Sequence, residues 1–142
     1  MARIIINLPQ KIFFTTEIAV RITDLNYGGH VGNDSVLSII HEARVRFLKS
    51  IGFENEAQGP DGTGIIMGDA AIIYKGEIFY GDRLKIDIGA GDFTRVGFDL
   101  YYQFTSVESR KEVVRAKTGI ICFDYHSRRI VTVPHWLKEA LS

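Results

Sequence analysis

Cysteine is almost absent from this 142-residue chain, which contains only Cys122. One cysteine cannot close an internal disulfide, and no Cys/His spacing resembles a zinc site, so we expect no metal and a reducing, cytoplasmic environment. An excess of charge of either sign is also absent, because 17 Lys and Arg balance 17 Asp and Glu. A net charge of zero argues against the strongly basic surface with which proteins bind nucleic acids or anionic membranes.

Long apolar runs and linkers are missing as well. The apolar run at Ile4–Ile6 is too short for the core of a signal peptide or for a membrane span. The sequence has only three prolines, and its 14 glycines are spread evenly, with no repeat and no Ser/Gly-rich linker. With 46% hydrophobic residues, the chain is expected to fold as one globular domain over residues 1–142.

The first third of the chain predicts a strand, a loop and a helix. Apolar residues alternate between Ile12 and Ile22, which is the period of a half-buried strand. A loop rich in Gly and Asn follows. From Asp34 to Ile51 the apolar residues recur every three or four positions, which predicts one long helix capped by Asn33 or Asp34 and ended by Gly52.

Alternating patterns return after Gly62 and continue almost to the end. The segment 64–74 is apolar on both faces and predicts a central or interface strand, and a short terminal helix is expected from Pro134. The sum is an α+β domain in which a curved antiparallel sheet of five or six strands wraps one long helix. The further predicted strands are 84–90, 96–104, 113–123 and 129–133.

Three side chains stand out against this framework. On a helical projection Arg44 falls inside the apolar arc, so either its head reaches solvent at the helix end or it pairs with a buried carboxylate. His41 falls on the outer arc and reads as a surface residue. Cys122 shares the parity of apolar neighbours, which predicts a small core residue rather than a nucleophile.

Residues suited to catalysis and ligand binding are concentrated in the loop that leads into the long helix. Unpaired backbone N–H groups at a helix N-terminus stabilise an oxyanion, and glycines let a ligand approach the backbone closely. The same residue types also serve ordinary turns and helix caps. The polar residues of this loop are Asp24, Asn26, His30, Asn33 and Asp34, and the glycines are Gly28, Gly29 and Gly32.

The segment from Asp24 to Leu37, with His41-Glu42-Ala43-Arg44 on the helix, resembles the hot-dog-fold acyl-CoA thioesterases of the 4-hydroxybenzoyl-CoA thioesterase type. Their pattern has an Asp, a Gly-containing loop, Gly-His-Val-Asn-Asn and a helix with Glu-Ala-Arg. Tyr80-Gly81-Asp82 and Val133-Pro134 extend the similarity to nearly the whole chain.

The resemblance implies a homodimer or homotetramer that binds an acyl thioester of coenzyme A or acyl carrier protein at a subunit interface. Coenzyme A would be part of the substrate, and no separate cofactor is expected. In the family, the loop Asp activates water or attacks the thioester, and helix N-terminal N–H groups hold the carbonyl oxygen. By this comparison we assign oxyanion or substrate binding to Gly29, Val31, Asn33 and Glu42.

The sequence departs from the family pattern at the decisive residue. Counting back from Gly29-His30-Val31, the catalytic Asp of the family falls on Asn26, and the first Asn of its Asn-Asn pair falls on Gly32. A neutral amide cannot act as a general base or a carboxylate nucleophile. The catalytic candidates are therefore Asp24, Asn26, His30 and Asp34.

Three interpretations of this departure remain open. The one we favour is a thioesterase in which Asn26 positions water or polarises the thioester, while Asp24, Asp34 or Glu42 supplies the base. The second is an enoyl-CoA hydratase-like enzyme, because Asp24-x-Asn26 and His30 approach the Asp-x-Asn-x-x-His motif of such enzymes, with one residue too many. The third is a module that binds acyl-CoA without turnover.

Coenzyme A also carries phosphates, which need a local cluster of positive charge. The adjacent basic pairs of the sequence both fall in predicted turns, where solvated hairpins would explain them equally well. They are Arg110-Lys111 and Arg128-Arg129.

Overall fold

One long helix packs against a six-stranded antiparallel sheet in the computed structural model, which describes residues 3–142. Five strands run in the order β1-β3-β4-β5-β2, and β6 pairs with β5. The arrangement confirms the predicted hot-dog architecture. The strands are β1 Phe14–Ala19, β2 Gly64–Tyr74, β3 Arg83–Gly91, β4 Gly97–Ser106, β5 Glu112–Asp124 and β6 Arg129–Ile130; the helices are α1 Asn33–Ser50 and α2 His135–Ala140.

The concave side of the sheet and one face of α1 share a single hydrophobic core. The longer strands contribute residues to it from one face, because successive side chains point to opposite faces. On β3, for example, Leu84, Ile86 and Ile88 are fully buried, while Lys85 between them is exposed. The helix contributes Val36, Ile39, Ile40, Ala43, Phe47 and Leu48.

The start of α1 differs from the sequence prediction. The N-cap residue is Gly32, not Asn33 or Asp34, and no side chain caps the helix. Gly32 is extended, with φ −72° and ψ 154°, and its carbonyl accepts the first helical hydrogen bond from Val36 at 3.1 Å. The Asp34 N–H donates to Oδ1 of Asn33 at 3.1 Å, whereas the N–H groups of Asn33 and Ser35 have no side-chain acceptor among residues 3–142.

The predicted alternation of β1 also ends earlier than expected. The strand stops at Ala19, and a 3-10 turn occupies Ile22–Asp24. This turn changes the direction of the side chains, so Ile22 is exposed although its parity predicts burial.

Strand β2 lies at an edge of the sheet, which excludes the central strand and leaves the interface strand of the two predicted alternatives. It pairs only with β5 among the described strands, and its other side is unpaired. Residues 67–70 in its middle are exposed, including Met67. The sequence read as doubly apolar because an edge strand with exposed apolar residues has the same pattern as a buried one. Within residues 3–142, no helix is long and apolar enough to cross a membrane.

Candidate active site

A tight turn holds Asn26 at the mouth of the loop that precedes α1. The Asn26 N–H donates to the His30 carbonyl at 2.9 Å, and the Gly29 N–H donates to the Asn26 carbonyl at 3.2 Å. The side-chain oxygen of Asn26 accepts from the Gly28 N–H at 2.9 Å. Gly29 has φ 77°, a left-handed conformation that glycine adopts at little cost. The turn fixes the amide oxygen and leaves the Asn26 NH₂ group without an acceptor in residues 3–142.

His30 is packed against the same turn. Its ring is half-buried, and a methyl group added at Gly28 would lie only 2.9 Å from Nε2. The Nδ1 atom lies 3.5 Å from the Val31 carbonyl. The ring therefore braces the loop that carries Asn26.

Asp24 is buried on a different side of the loop. It is 4% exposed, and its Oδ2 accepts from the Arg21 N–H at 2.8 Å, which closes the 3-10 turn. Its backbone carbonyl accepts from the Gly32 N–H at 3.1 Å. Asp24 lines a pocket with Glu42 and Arg46, away from the pocket that Asn26 lines. The structure does not bring Asp24 and His30 to one pocket.

Asp34 and Asn26 both approach the position that a side chain of residue 32 would occupy. A methyl group added at Gly32 would lie 2.7 Å from Oδ1 of Asp34 and 3.5 Å from Cβ of Asn26. The Asp34 carboxylate therefore occupies space beside the Gly32 backbone that a larger residue would need.

The amides of the first helical turn are free to bind an anion. The N–H groups of Asn33 and Ser35 find no acceptor among the described residues, and they lie at the positive end of α1. Two of the predicted oxyanion donors are already used: Gly29 donates within its turn, and Val31 donates to the Ile78 carbonyl at 2.8 Å. Asn33 and Ser35 remain as the available donors.

Two pockets lie on either side of the helix N-terminus, along α1 and β2. The first pocket has a volume of about 420 Å³ and is lined by Asp34, Leu37, Arg44 and Thr118 among others. The second has a volume of about 580 Å³, and Asn26, His30 and Asn33 line it together with the segment 74–78. Asp34 lines the first pocket and its neighbour Asn33 lines the second, so the first turn of α1 lies between the two pockets.

Glu42 faces away from this groove. Its Oε2 accepts from Arg46 Nε at 2.8 Å, and the pair lines the pocket that Asp24 also lines. Arg46 in turn donates to the Thr16 hydroxyl at 2.9 Å and to the Glu17 carbonyl at 3.1 Å. Within the chain, Glu42 therefore helps to tie α1 to β1.

The two basic pairs lie at opposite ends of the sheet. Arg110 and Lys111 are exposed in the turn before β5, and β5 begins beside the end of β2 that lines the second pocket. Arg128 ends the turn after β5 and Arg129 begins β6, so the prediction of a turn is wrong for Arg129; the Arg128 guanidinium lies over the Phe123 ring at 5.9 Å from its centroid. Because an 11-residue strand spans about 35 Å, only the first pair is near the Asn26 loop within one chain.

Lys75 is a cation near the pockets that the sequence patterns do not indicate. Lys75 lines the second pocket, and its Nζ lies 3.4 Å from Glu112 Oε1. A search for adjacent basic residues cannot find it, because it is a single lysine after a strand. Its proximity to Arg110-Lys111 depends on strand pairing.

Arg44 resolves the alternative that the sequence left open, because it pairs with a carboxylate. It is 6% exposed, and its Nε donates to Glu56 Oε2 at 2.9 Å. The other carboxylate oxygen of Glu56 lies 2.5 Å from His41 Nε2, so His41 is exposed but not isolated. Burial alone would lower the pKa of Arg44, but Tyr102 and Glu56 outweigh it and raise the pKa. The guanidinium is therefore charged.

Cys122 is a core residue, as predicted. Its side chain is fully buried, and burial raises the pKa of the thiol to about 11. At neutral pH the thiol is protonated and inaccessible, which excludes it as the nucleophile.

The class of fold that these elements define is matched by solved structures. The PA2801 protein from Pseudomonas aeruginosa is 19% identical over 93% of this chain and 100% of its own, with a TM-score of 0.82. A thioesterase from Thermus thermophilus complexed with coenzyme A and zinc is 18% identical over 92% and 98%, with a TM-score of 0.80. A 1,4-dihydroxy-2-naphthoyl-CoA thioesterase from Synechocystis is 22% identical over 90% and 94%, with a TM-score of 0.71.

The family follows from the sequence itself. The model of the thioesterase-like superfamily matches residues 20–141, which include the Asn26 loop, α1 and the strands β2–β6. The chain belongs to the thioesterase-like superfamily. No curated protein matches the sequence.

Proposed function

We propose that this protein is an acyl-CoA thioesterase that hydrolyses the thioester with Asp34 as general base. The observation that carries the proposal is that Asp34 and Asn26 both lie close to the space left by the absent side chain of Gly32. In the family pattern, the carboxylate stands at position 26 and a side chain stands at position 32. Here the carboxylate comes from the helix, and the missing side chain at Gly32 makes room for it.

The proposed reaction needs a base, an oxyanion site and an oriented water molecule. Asp34 takes a proton from water, and the resulting hydroxide attacks the thioester carbonyl carbon. The N–H groups of Asn33 and Ser35 stabilise the negative charge that forms on the carbonyl oxygen. The free NH₂ group of Asn26 holds the thioester oxygen or the water. When the carbon–sulfur bond breaks, the thiolate leaves and takes up a proton.

The two pockets can hold the two parts of such a substrate, the coenzyme A part and the acyl group. We assign the coenzyme A arm to the second pocket, because Lys75 lines it and Arg110-Lys111 lie at the same end of the sheet. The acyl group then lies in the first pocket, beside Leu37 and Met67. The coenzyme A complex of the Thermus thermophilus thioesterase supports coenzyme A as the carrier.

We also propose that a second subunit completes the groove. Strand β2 exposes an unpaired edge 11 residues long with apolar side chains, and such an edge readily pairs with another strand. Both pockets open along β2, so a partner that pairs there would close them. A homodimer, or a homotetramer of two such dimers, fits this geometry.

The direct test is release of thiol from a broad panel of acyl-CoA and acyl carrier protein thioesters. We expect hydrolysis of medium-length or aromatic acyl-CoA, followed with a thiol reagent. We also expect the protein to migrate as a dimer or a larger oligomer in size-exclusion chromatography. No release across the panel, with acyl-CoA binding retained in calorimetry, would replace the thioesterase with a binding module. Loss of the enoyl absorbance of crotonyl-CoA would instead reveal hydratase activity.

Replacing Gly32 by Ala tests the arrangement of the site. The backbone of Gly32 suits any residue, but the new methyl group would meet Oδ1 of Asp34 and displace the carboxylate. We expect kcat to fall by about tenfold or more, since small displacements of a catalytic group are costly, while stability in urea changes by less than about 1 kcal/mol. Unchanged kcat would contradict the placement of the base. Gly91→Ala is a matched control for a glycine elsewhere, because the backbone of Gly91 is not in the left-handed region and its added methyl group would meet only the Tyr101 ring, at 3.6 Å.

A further inference from the structure

The first pocket ends at two hydrogen-bond donors that the protein leaves without acceptors. Arg44 uses Nε for Glu56, and its Nη1 lies 3.5 Å from the Tyr102 hydroxyl. Its Nη2 finds no acceptor among residues 3–142, and the side chain lines the pocket. Arg44 is therefore a charged side chain, more than nine-tenths buried, with one donor group directed to the pocket.

A chain of hydrogen bonds directs the second donor to the same place. The Tyr102 hydroxyl lies 2.7 Å from the hydroxyl of Thr118, and both side chains are almost completely buried. Burial raises the pKa of Tyr102, so its hydroxyl keeps its proton. Among residues 3–142, Thr118 Oγ1 is the one acceptor within reach of the Tyr102 O–H, so the hydroxyl can accept from Arg44 and donate its proton to Thr118. The proton of Thr118 is then free, and Thr118 also lines the pocket.

The charges around the pocket discriminate between kinds of acceptor. Asp34 and Asp69 line it, and the positive charge of Arg44 is already balanced by Glu56. A second carboxylate would meet this negative field, whereas a neutral carbonyl oxygen can accept from both donors through its two lone pairs. A purely alkyl end would leave the two buried donors unpaired, which is costly.

The position of these donors suits the far end of an acyl group. Ten residues separate Asp34 from Arg44, which corresponds to about 15 Å along the helix. The side chain of Arg44 leans back toward the helix N-terminus, which shortens this distance. If the thioester lies at the N-terminus of α1, between the two pockets, a medium-length acyl group would therefore reach Arg44 and Thr118.

We propose that Arg44 and Thr118 select acyl groups that carry a neutral carbonyl oxygen at the end remote from the thioester. The proposal rests on the proposed thioesterase function and names its substrate class as oxo-acyl thioesters. Arg44 and Thr118 bind the remote oxygen and take no part in bond cleavage.

The test compares matched substrates. Straight-chain acyl-CoAs, the corresponding acyl-CoAs with a ketone next to the terminal methyl group, and those with a terminal carboxylate are assayed over a series of chain lengths. At the best length we expect the oxo-acyl-CoA to have a kcat/KM about tenfold or more above its alkyl counterpart. The carboxylate-ended substrate is expected to be the slower of the two oxygenated ones.

Two variants test whether the Thr118 hydroxyl causes the preference for oxo-acyl groups. Thr118→Val removes the hydroxyl at nearly constant shape and is expected to bring the oxo-to-alkyl ratio close to one. Thr118→Ser keeps the hydroxyl and is expected to keep the preference. Thermal unfolding of both variants controls for folding, and the wild-type comparison remains decisive when either variant fails to fold.

The outcomes separate this inference from the proposed function. Hydrolysis of all substrates with no preference for the oxo group, or with a preference for the carboxylate, overturns the inference and leaves the thioesterase intact. A preference that survives Thr118→Val also overturns it. Without any hydrolysis the thioesterase proposal fails, and calorimetric affinities for the same oxo and alkyl pair then decide the inference by the same ratio.

Discussion

Replacing Asp34 by Asn is expected to lower kcat for acyl-CoA hydrolysis by about a hundredfold or more, because general base catalysis contributes a factor of about 10² to 10⁴. The amide keeps the shape of the side chain and its place beside Gly32 but cannot accept the proton from water. KM should change little, since the carboxylate acts on the water. The measurement is steady-state thiol release, with the oxo-acyl or alkyl substrate that the wild type uses best.

The other carboxylates provide matched controls for this variant. Glu42→Gln should retain most of kcat, because Glu42 contacts Arg46 on the far side of the helix. Asp24→Asn should act mainly on stability, since it weakens the closure of a 3-10 turn. A larger loss of kcat in either control than in Asp34→Asn would reassign the base to that residue.

A second variant asks whether the family chemistry can be restored. Adding Asn26→Asp to Asp34→Asn puts the single carboxylate back where the family pattern has it. We expect part of the lost rate to return, because Asn26 and Asp34 flank the same glycine. No recovery would indicate that the Asn26 NH₂ group has a role that a carboxylate cannot fill.

Replacing Glu56 by Ala is expected to reduce the free energy of unfolding by about 2 to 3 kcal/mol. The variant leaves the buried cation of Arg44 without its carboxylate, and breaking buried pairs typically costs about 3 to 5 kcal/mol. The value expected here is smaller because the side chain of Glu56 is 23% exposed. Urea denaturation monitored by fluorescence of Trp136 measures the change.

His41→Gln is the control for that experiment. His41 contacts the same carboxylate but has a side chain that is 58% exposed, so its replacement should change stability by less than about 0.5 kcal/mol. If Glu56→Ala and His41→Gln have the same small effect, the Arg44 guanidinium is solvated through the pocket and the pair with Glu56 is not structural.

The helix and the meander strands follow from periodicity alone, because one buried face leaves a regular apolar pattern in the sequence. The edge position of β2 does not, because the order of strands in a sheet depends on pairing between distant segments. The wrong cap assignment at Asn33 and Asp34 has a local cause: either side chain can cap a helix, and only the backbone shows that Gly32 takes the role.

The candidate site was partly predictable for similar reasons. The loop and its residues could be chosen from their density of Gly, Asn and Asp, and from the resemblance of the loop to a family. Which carboxylate meets Asn26 depends on a 3-10 turn that redirects Asp24 and on the space at Gly32, and neither has a sequence signature. Glu56 and Thr118 join Arg44 from segments 12 and 74 residues away, so spacing along the chain cannot reveal them.

Gly32 also constrains the order in which mutations could have produced this site. Under the proposed mechanism, a side chain at position 32 excludes the Asp34 carboxylate, so an ancestor with the family arrangement could not lose its Asp at position 26 first without losing activity. Under this mechanism, glycine at position 32 is required before position 26 can lose its carboxylate without loss of activity. The two positions are thus epistatic, and replacing Gly32 alone is expected to be deleterious although it restores the type of residue in the family pattern.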